Sequence, residues 1–503
     1  MRQLDILFIN TNSANSVYQK LAEKWAAVEP PTWSLLLAQS CRAKGYGVGI
    51  LDAQAERMTN EETANAIIAA KPKFACFVTY GQNPNAGTTN MVGVYKVAEL
   101  VKEANIRTIS VGSHTSALPH EVLSNKYIDY VTLNEGVYAI HKLLEGVPPC
   151  NIPGLGYYWF GKPQINNGLN SLVPQERMDI DLPGYAWDLL PYREKPFDLY
   201  RAHLWHAEYQ DEYRTPFAAI YSSLGCQFKC NFCMINTINR TDAADGITAA
   251  NSNMMRFWSP ELILKEFDKL VDYGISTIRI SDEMFFLNKK YYEPLLLGLK
   301  EKGYGEFLKM WTYARVDTVN EKFLDLFRAG GVKWLALGIE AANQDIRREL
   351  YKGKFQNINI RDVVKEINNH GLYSIANYIF GHPNDNLRTM QETLDLALEL
   401  NTESVNMYTA MALPGSPLYY EAKENNWKLP DSADAWSFHS YKCQPLPTHH
   451  CTAEEVLKFR DDAWHTYFES PKFLSMIEQK FGEKAVKNLR EQSIIRLKRK
   501  ILE

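Results

Sequence analysis

Phe217-Ala218-Ala219-Ile220-Tyr221 reads as a buried strand, and Cys226-Gln227-Phe228-Lys229-Cys230-Asn231-Phe232-Cys233 follows it directly. The cysteines stand at C-x3-C-x2-C spacing on one short loop. Three thiolates there hold three corners of a cubic 4Fe-4S cluster and leave the fourth iron open to a substrate or cofactor. A cluster used only for electron transfer takes four cysteines, so an open iron points to chemistry at the cluster. Structural zinc is the alternative, but it closes a tetrahedron with a second Cys or His pair. No second pair follows here. Cys41, Cys76, Cys150, Cys443 and Cys451 are scattered, and the nearest rival group, His449-His450-Cys451, lies far along the chain.

Composition sets the outer bounds. The chain has 503 residues, enough for two to four domains; it is 46% hydrophobic and 23% charged, with formal net charge −4. That balance gives no reason to expect nucleic acid as a partner. The first ten residues hold too short an apolar run for a signal peptide, and no run of about eighteen apolar residues reads as a membrane span. A cytoplasmic location is the expectation, and reducing conditions there suit free thiols.

Residues 1–148 alternate strand candidates (4–9, 47–51, 74–78, 107–111 and 130–133) with amphipathic stretches, which predicts a parallel sheet covered on both faces. Ligands of such sheets bind beyond the carboxyl ends of the strands. Gly45-Tyr46-Gly47-Val48-Gly49 lacks the G-x-G-x-x-G spacing of a dinucleotide site and reads as turn glycines. Residues 149–212 are proline-punctuated and aromatic, a linker that packs down. From 213 to 420, strand candidates recur at 217–221, 277–280, 308–313, 333–337, 374–380 and 404–408. Ser259-Pro260-Glu261 marks one helix start. Residues 421–503 read as mostly helical.

The cysteine spacing, with Phe232 before the last cysteine, resembles the cluster loop of radical S-adenosylmethionine (SAM) enzymes. Five further strand ends support the likeness: Ser281-Asp282-Glu283, Tyr313-Ala314-Arg315, Gly338-Ile339-Glu340, Gly381-His382-Pro383 and Leu413-Pro414-Gly415-Ser416-Pro417. The resemblance implies that Phe232, Asp282, Glu283, Arg315, Glu340 and Gly381 surround SAM, and that Cys226, Cys230 and Cys233 hold the cluster. The glycine–glycine–glutamate turn usual in that family is replaced by Ser281-Asp282-Glu283.

The first domain is similar to the cobalamin-binding domain of one radical SAM subgroup. The likeness rests on Pro30-Pro31-Thr32-Trp33, Val111-Gly112-Ser113-His114 and Asn134-Glu135-Gly136. It implies that Tyr80, Gln82, Gly112, Ser113, His114, Glu135 and Gly136 lie near the corrinoid. The Asp-x-His-x-x-Gly cobalt-ligand motif is missing, as it generally is in this subgroup.

The whole resemblance implies an α/β chain. A Rossmann-like cobalamin-binding domain spans 1–148, a linker 149–212, a partial (β/α)6 TIM-like radical SAM barrel 213–420, and a helical region 421–503. The implied cofactors are a 4Fe-4S cluster, SAM and cobalamin. The implied partners are a small-molecule substrate and an external electron donor of flavodoxin or ferredoxin type. The implied reaction is C-methylation of an unactivated carbon through a 5′-deoxyadenosyl radical and methylcobalamin. Oxidation, ring contraction or cyclisation without methyl transfer is the alternative.

Overall fold

The computed structural model describes residues 4–80, 86–240, 242, 254–350 and 358–503. Gln82 lies outside them. Two sheets organise the chain, and each is built on apolar runs too continuous for a half-solvated strand.

The first sheet contains β1 (Ile6–Asn10), β2 (Val48–Asp52), β3 (Phe74–Thr79), β4 (Arg107–Gly112), β5 (Tyr130–Thr132), β6 (Leu155–Trp159) and β7 (Lys162–Ile165), in the order β2-β1-β3-β4-β5-β6-β7. The first five are parallel. β3, Phe-Ala-Cys-Phe-Val-Thr, is buried along its whole length, as a central parallel strand covered on both faces must be. β6 and β7 add antiparallel strands. The start of the 149–212 segment, read from its prolines as a linker, therefore completes this sheet.

The second sheet has six parallel strands in the order β15-β14-β13-β12-β11-β8: β8 (Phe217–Ile220), β11 (Thr277–Ile280), β12 (Lys309–Arg315), β13 (Val332–Glu340), β14 (Tyr373–Phe380) and β15 (Ser404–Thr409). β9 (Ser223–Gly225) and β10 (Met255–Phe257) form a small antiparallel ribbon that frames the cysteine loop. Helices follow the strands. The one at Pro260–Asp272 starts as its sequence predicts: the Ser259 side chain accepts from the Leu262 amide, and Pro260 fills the first position.

Six strands leave a barrel open between β8 and β15. Connector residues around Trp205 pack on β12 and β13, and the helix Ala453–Phe468 packs on β15. Trp205 packs against Trp311 and Trp334, and the buried His206 bonds through Nε2 to the Lys309 carbonyl at 2.8 Å. Inside the barrel, Arg279 Nη1 donates to both Glu29 carboxylate oxygens at 2.8 and 2.9 Å, and its guanidinium lies 4.7 Å from the Trp311 ring centre. Glu29 belongs to the first domain, so a buried ion pair ties the two sheets together. No helix among the described residues is long and apolar enough to cross a membrane.

Candidate functional site between two sheets

The carboxyl ends of both parallel sheets face one another. Tyr80, just beyond β3, stacks on Trp33 at 4.2 Å, and Trp33 approaches Tyr221, just beyond β8, at 6.0 Å. Asn134, just beyond β5, exchanges two 2.8 Å hydrogen bonds with the Arg240 backbone, seven residues past the cysteine loop. Between these seams lies a cavity whose walls come from both sides: Asn10, Gln54 and Tyr80 from the first domain, Tyr221 and Ser281 from the barrel.

The cysteine loop sits at the barrel's rim. Cys226 is buried, whereas Cys230 and Cys233 are half-buried. Burial pushes the Cys226 thiol up to about 12 and raises Cys233 as well. Such thiols ionise only when a cation takes the charge, which suits metal ligation better than free nucleophilicity. Among the described residues, a separate group of possible metal ligands is formed by Glu321, Glu366 and His370, whose ligand atoms lie within 4.8 Å of one another.

The loop is held from several sides. The Asn231 carbonyl accepts from the Leu418 amide at 2.9 Å, and the Cys230 carbonyl accepts from Cys233 N at 3.1 Å. Phe228 carries the Arg315 guanidinium 3.7 Å above its ring, and Phe232 stands 6.2 Å from the His382 ring. Arg315 grips Asp317 with Nε and Nη2, both at 2.7 Å. The fork that the sequence aims at a SAM carboxylate thus holds a protein carboxylate, and Arg315 steadies the loop by stacking.

Glu283 and Asp282, adjacent in sequence, have different surroundings. Asp282 is wholly buried, with Ser222 N and Oγ both donating at 2.6 Å and Ser223 Oγ at 2.7 Å. These bonds occupy both its oxygens, so Asp282 ties the start of the cysteine loop to β11. Glu283 is half-buried, and its Oε2 has no hydrogen-bond partner. Burial, then the neighbouring Asp282 charge, pushes its carboxyl up to about 8. A shielded acceptor of this kind, electrostatically close to Cys226 and Cys233, fits the ammonium-derived end of an amino acid.

Glu340 closes β13 at φ +64, a left-handed conformation costly for a side chain, beside a register shift against β14. Gly381 has φ +85, and its amide donates to Asp385 Oδ2 at 3.1 Å; a Cβ there would strike Val456. Gly381 is therefore required by its turn.

In the first domain, Gly112 closes β4, and a Cβ on it would strike Thr79. Ser113 is fully buried beside it, and Gly136 begins a helix at φ +75. His114 is also buried. Its Nδ1 lies 3.2 Å from Thr88 Oγ1 and its Nε2 3.4 Å from Glu121. Both ring nitrogens are engaged inside the domain, so His114 is not placed to ligate a metal in the cavity. Glu135 pairs with Arg256 at 2.6 Å and accepts from Val173 N at 2.7 Å. Its predicted place beside a cofactor becomes, in the structure, a clamp between the first domain and β10. Tyr80 Oη donates to the Asn134 carbonyl at 2.6 Å while its ring lines the cavity.

Comparison with known proteins agrees with this arrangement. The radical SAM superfamily matches residues 220–397, and the B12 binding domain matches residues 18–144. The chain is a radical SAM enzyme with a B12-binding domain. An uncharacterized methyltransferase of Pyrococcus horikoshii is 27% identical over 454 residues, covering 88% of this chain and 89% of that one. The anaerobic magnesium-protoporphyrin IX monomethyl ester cyclase of Cereibacter sphaeroides is 19% identical, covering 83% and 64%. In fold, the chain is similar to the radical SAM methyltransferase TsrM of Kitasatospora setae, solved with cobalamin and a 4Fe-4S cluster (TM-score 0.65, 14% identity, 98% and 100% covered). It is also similar to the cobalamin-dependent radical enzyme OxsB (TM-score 0.68, 12% identity, 97% and 70% covered). The cofactors of this radical SAM enzyme are a 4Fe-4S cluster, SAM and cobalamin.

Sequence reasoning missed Glu29, Arg279, Asn239 and Arg256. Arg279 was legible, since a charge amid Thr277-Ile278-Arg279-Ile280 must find a partner inside. Glu29 carried no comparable signal.

Proposed function

We propose that this radical SAM enzyme transfers a methyl group to an unactivated carbon of a small molecule held between its two sheets. The observation that supports this most directly is the apposition: strand ends of the barrel (Tyr221, Ser281) and of the B12-binding sheet (Asn10, Tyr80) line one shared cavity. When bound, the cluster and SAM supply a carbon-centred radical, and the corrinoid supplies a methyl carrier. Positioning is then the protein's main contribution.

Cys226, Cys230 and Cys233 hold the cluster. Glu283 would receive the amino end of SAM, and Glu340, held at its left-handed turn at the end of β13, would lie near it. Arg315 and Phe228 keep the loop's shape. The backbone amides of Gly112 and Ser113, at the carboxyl end of β4, would serve the corrinoid's tail. The Tyr80–Trp33 stack offers a flat apolar surface beside the ring. The described first-domain side of the cavity presents no histidine, which fits a cobalt without a protein imidazole. The electron enters from a flavodoxin- or ferredoxin-type donor.

The test is anaerobic reconstitution with iron, sulfide and cobalamin, followed by analysis of the products of SAM. Methyl transfer yields S-adenosylhomocysteine together with 5′-deoxyadenosine, and omission of cobalamin abolishes the former. 5′-Deoxyadenosine alone, with cobalamin present and substrate consumed, overturns methyl transfer in favour of oxidation or cyclisation. Cys230→Ala should lose bound iron and both products.

A further inference from the structure

A second and larger cavity opens beside β15, between the first turns of the chain, the connector and the C-terminal helices. It has a volume of about 1070 Å³, the size of a small-molecule site and not of a macromolecular groove. Tyr18, His203, Trp205, Asn406, His439 and Trp464 are among its walls. Tyr18 also lines the cavity between the sheets, so the two spaces meet at one side chain. The Glu29–Arg279 pair lies at the same junction, with His203 Nε2 3.9 Å from Glu29.

The chemistry of the walls is selective. Four of the five Lys and Arg side chains lining the cavity already hold carboxylates, Lys498 being the fifth: Arg460 and Arg499 are on Asp461 at 2.7 and 2.8 Å, Lys458 is on Asp462 at 2.6 Å, and Arg496 is on Glu469 at 2.9 Å. Burial pushes His203 and His439 down to about 3, so both rings are neutral and each offers one donor and one acceptor. The Tyr18 phenol, pushed up to about 12 by burial, stays a neutral donor. The rings of Tyr18, Trp205 and Trp464 supply apolar faces.

Resting on the function proposed above, we infer that this lateral cavity receives the body of the substrate, and that the substrate is an uncharged, ring-bearing molecule rich in hydroxyl or amide groups. An anion would find four of the five lining cations taken. A purely aliphatic chain would leave the two imidazoles desolvated without partners. The reacting end would pass Tyr18 into the space between the sheets.

Equilibrium dialysis of the full-length protein tests this with two probes, neutral 4-nitrophenyl β-D-glucoside and anionic 4-nitrobenzoate. The glucoside should bind about tenfold more tightly than the benzoate. His439→Leu should weaken glucoside binding about tenfold through the lost hydrogen bond. Thr466→Trp, an exposed helix position at the mouth, should weaken it similarly by obstruction. Equal or tighter binding of the benzoate overturns the substrate class. Unchanged glucoside binding in Thr466→Trp, with an unchanged melting temperature, overturns the site. SAM products measured on the same preparation keep the two readings apart. Probe binding as expected without SAM cleavage faults the radical reading, whereas SAM cleavage with binding indifferent to both variants faults the cavity.

Discussion

Single side chains in this enzyme are tuned by what surrounds them, and Asp52 shows how. It is wholly buried at the end of β2, accepts from Asn10, Ala55 N and Tyr200, and is pushed up to about 6 chiefly by desolvation. A folded-state value above the unfolded one means the folded chain binds the extra proton. Its contribution to stability is therefore fully present below about pH 4 and is lost as pH rises through about 6, roughly 3 kcal/mol in all. Asp52→Asn should flatten the slope of unfolding free energy against pH across that window, as urea melts at successive pH values would show. Arg315 carries a different prediction. Arg315→Lys gives up both the fork on Asp317 and the flat stack on Phe228. The reconstituted cluster should then bleach in air about tenfold faster, with iron content at the start unchanged. The three cysteines were legible because their spacing is local. The duties of Asp282 and His114 were not, because Ser222, Thr88 and Glu121 reach them only through the fold.

Local pattern is strong at the level of elements. Continuous apolar runs announced all eleven parallel strands of the two sheets, and the Ser259-Pro260 start held to the residue. The antiparallel pair β6–β7 escaped because its exposed Tyr158, Trp159 and Lys162 read as loop. What joins the elements was also silent in sequence. Glu135, Arg256 and Asn239 form one buried chain of bonds between the first domain and the ribbon that frames the cysteine loop. Glu135→Ala should strand the Arg256 charge and cost about 3–5 kcal/mol, read as a fall in the urea midpoint. The double variant Glu135→Leu/Arg256→Met, with no charge left to strand, should recover most of that loss.

Across the whole molecule, the Glu29–Arg279 pair links two sheets whose buried apolar side chains run into one continuous core. Its partners are about 250 residues apart in sequence, and both side chains are nearly inaccessible. Glu29→Ala should leave Arg279 buried without its counter-charge. Calorimetry should then show a lower melting temperature for the variant than for the native chain, because a buried charge has lost its partner. Glu29→Gln, which keeps an acceptor, should fall between.

The walls of the lateral opening also fix an order in time. Gln19 bonds to the His439 and Lys498 carbonyls, and Lys24 pairs with Glu491. The first turns of the chain thus wait for its last helices. A nascent chain emerging from the ribosome has its barrel strands complete at Thr409 while that side stands open. Every chaperone, protease or cofactor that meets the protein during synthesis meets it with the door unhung.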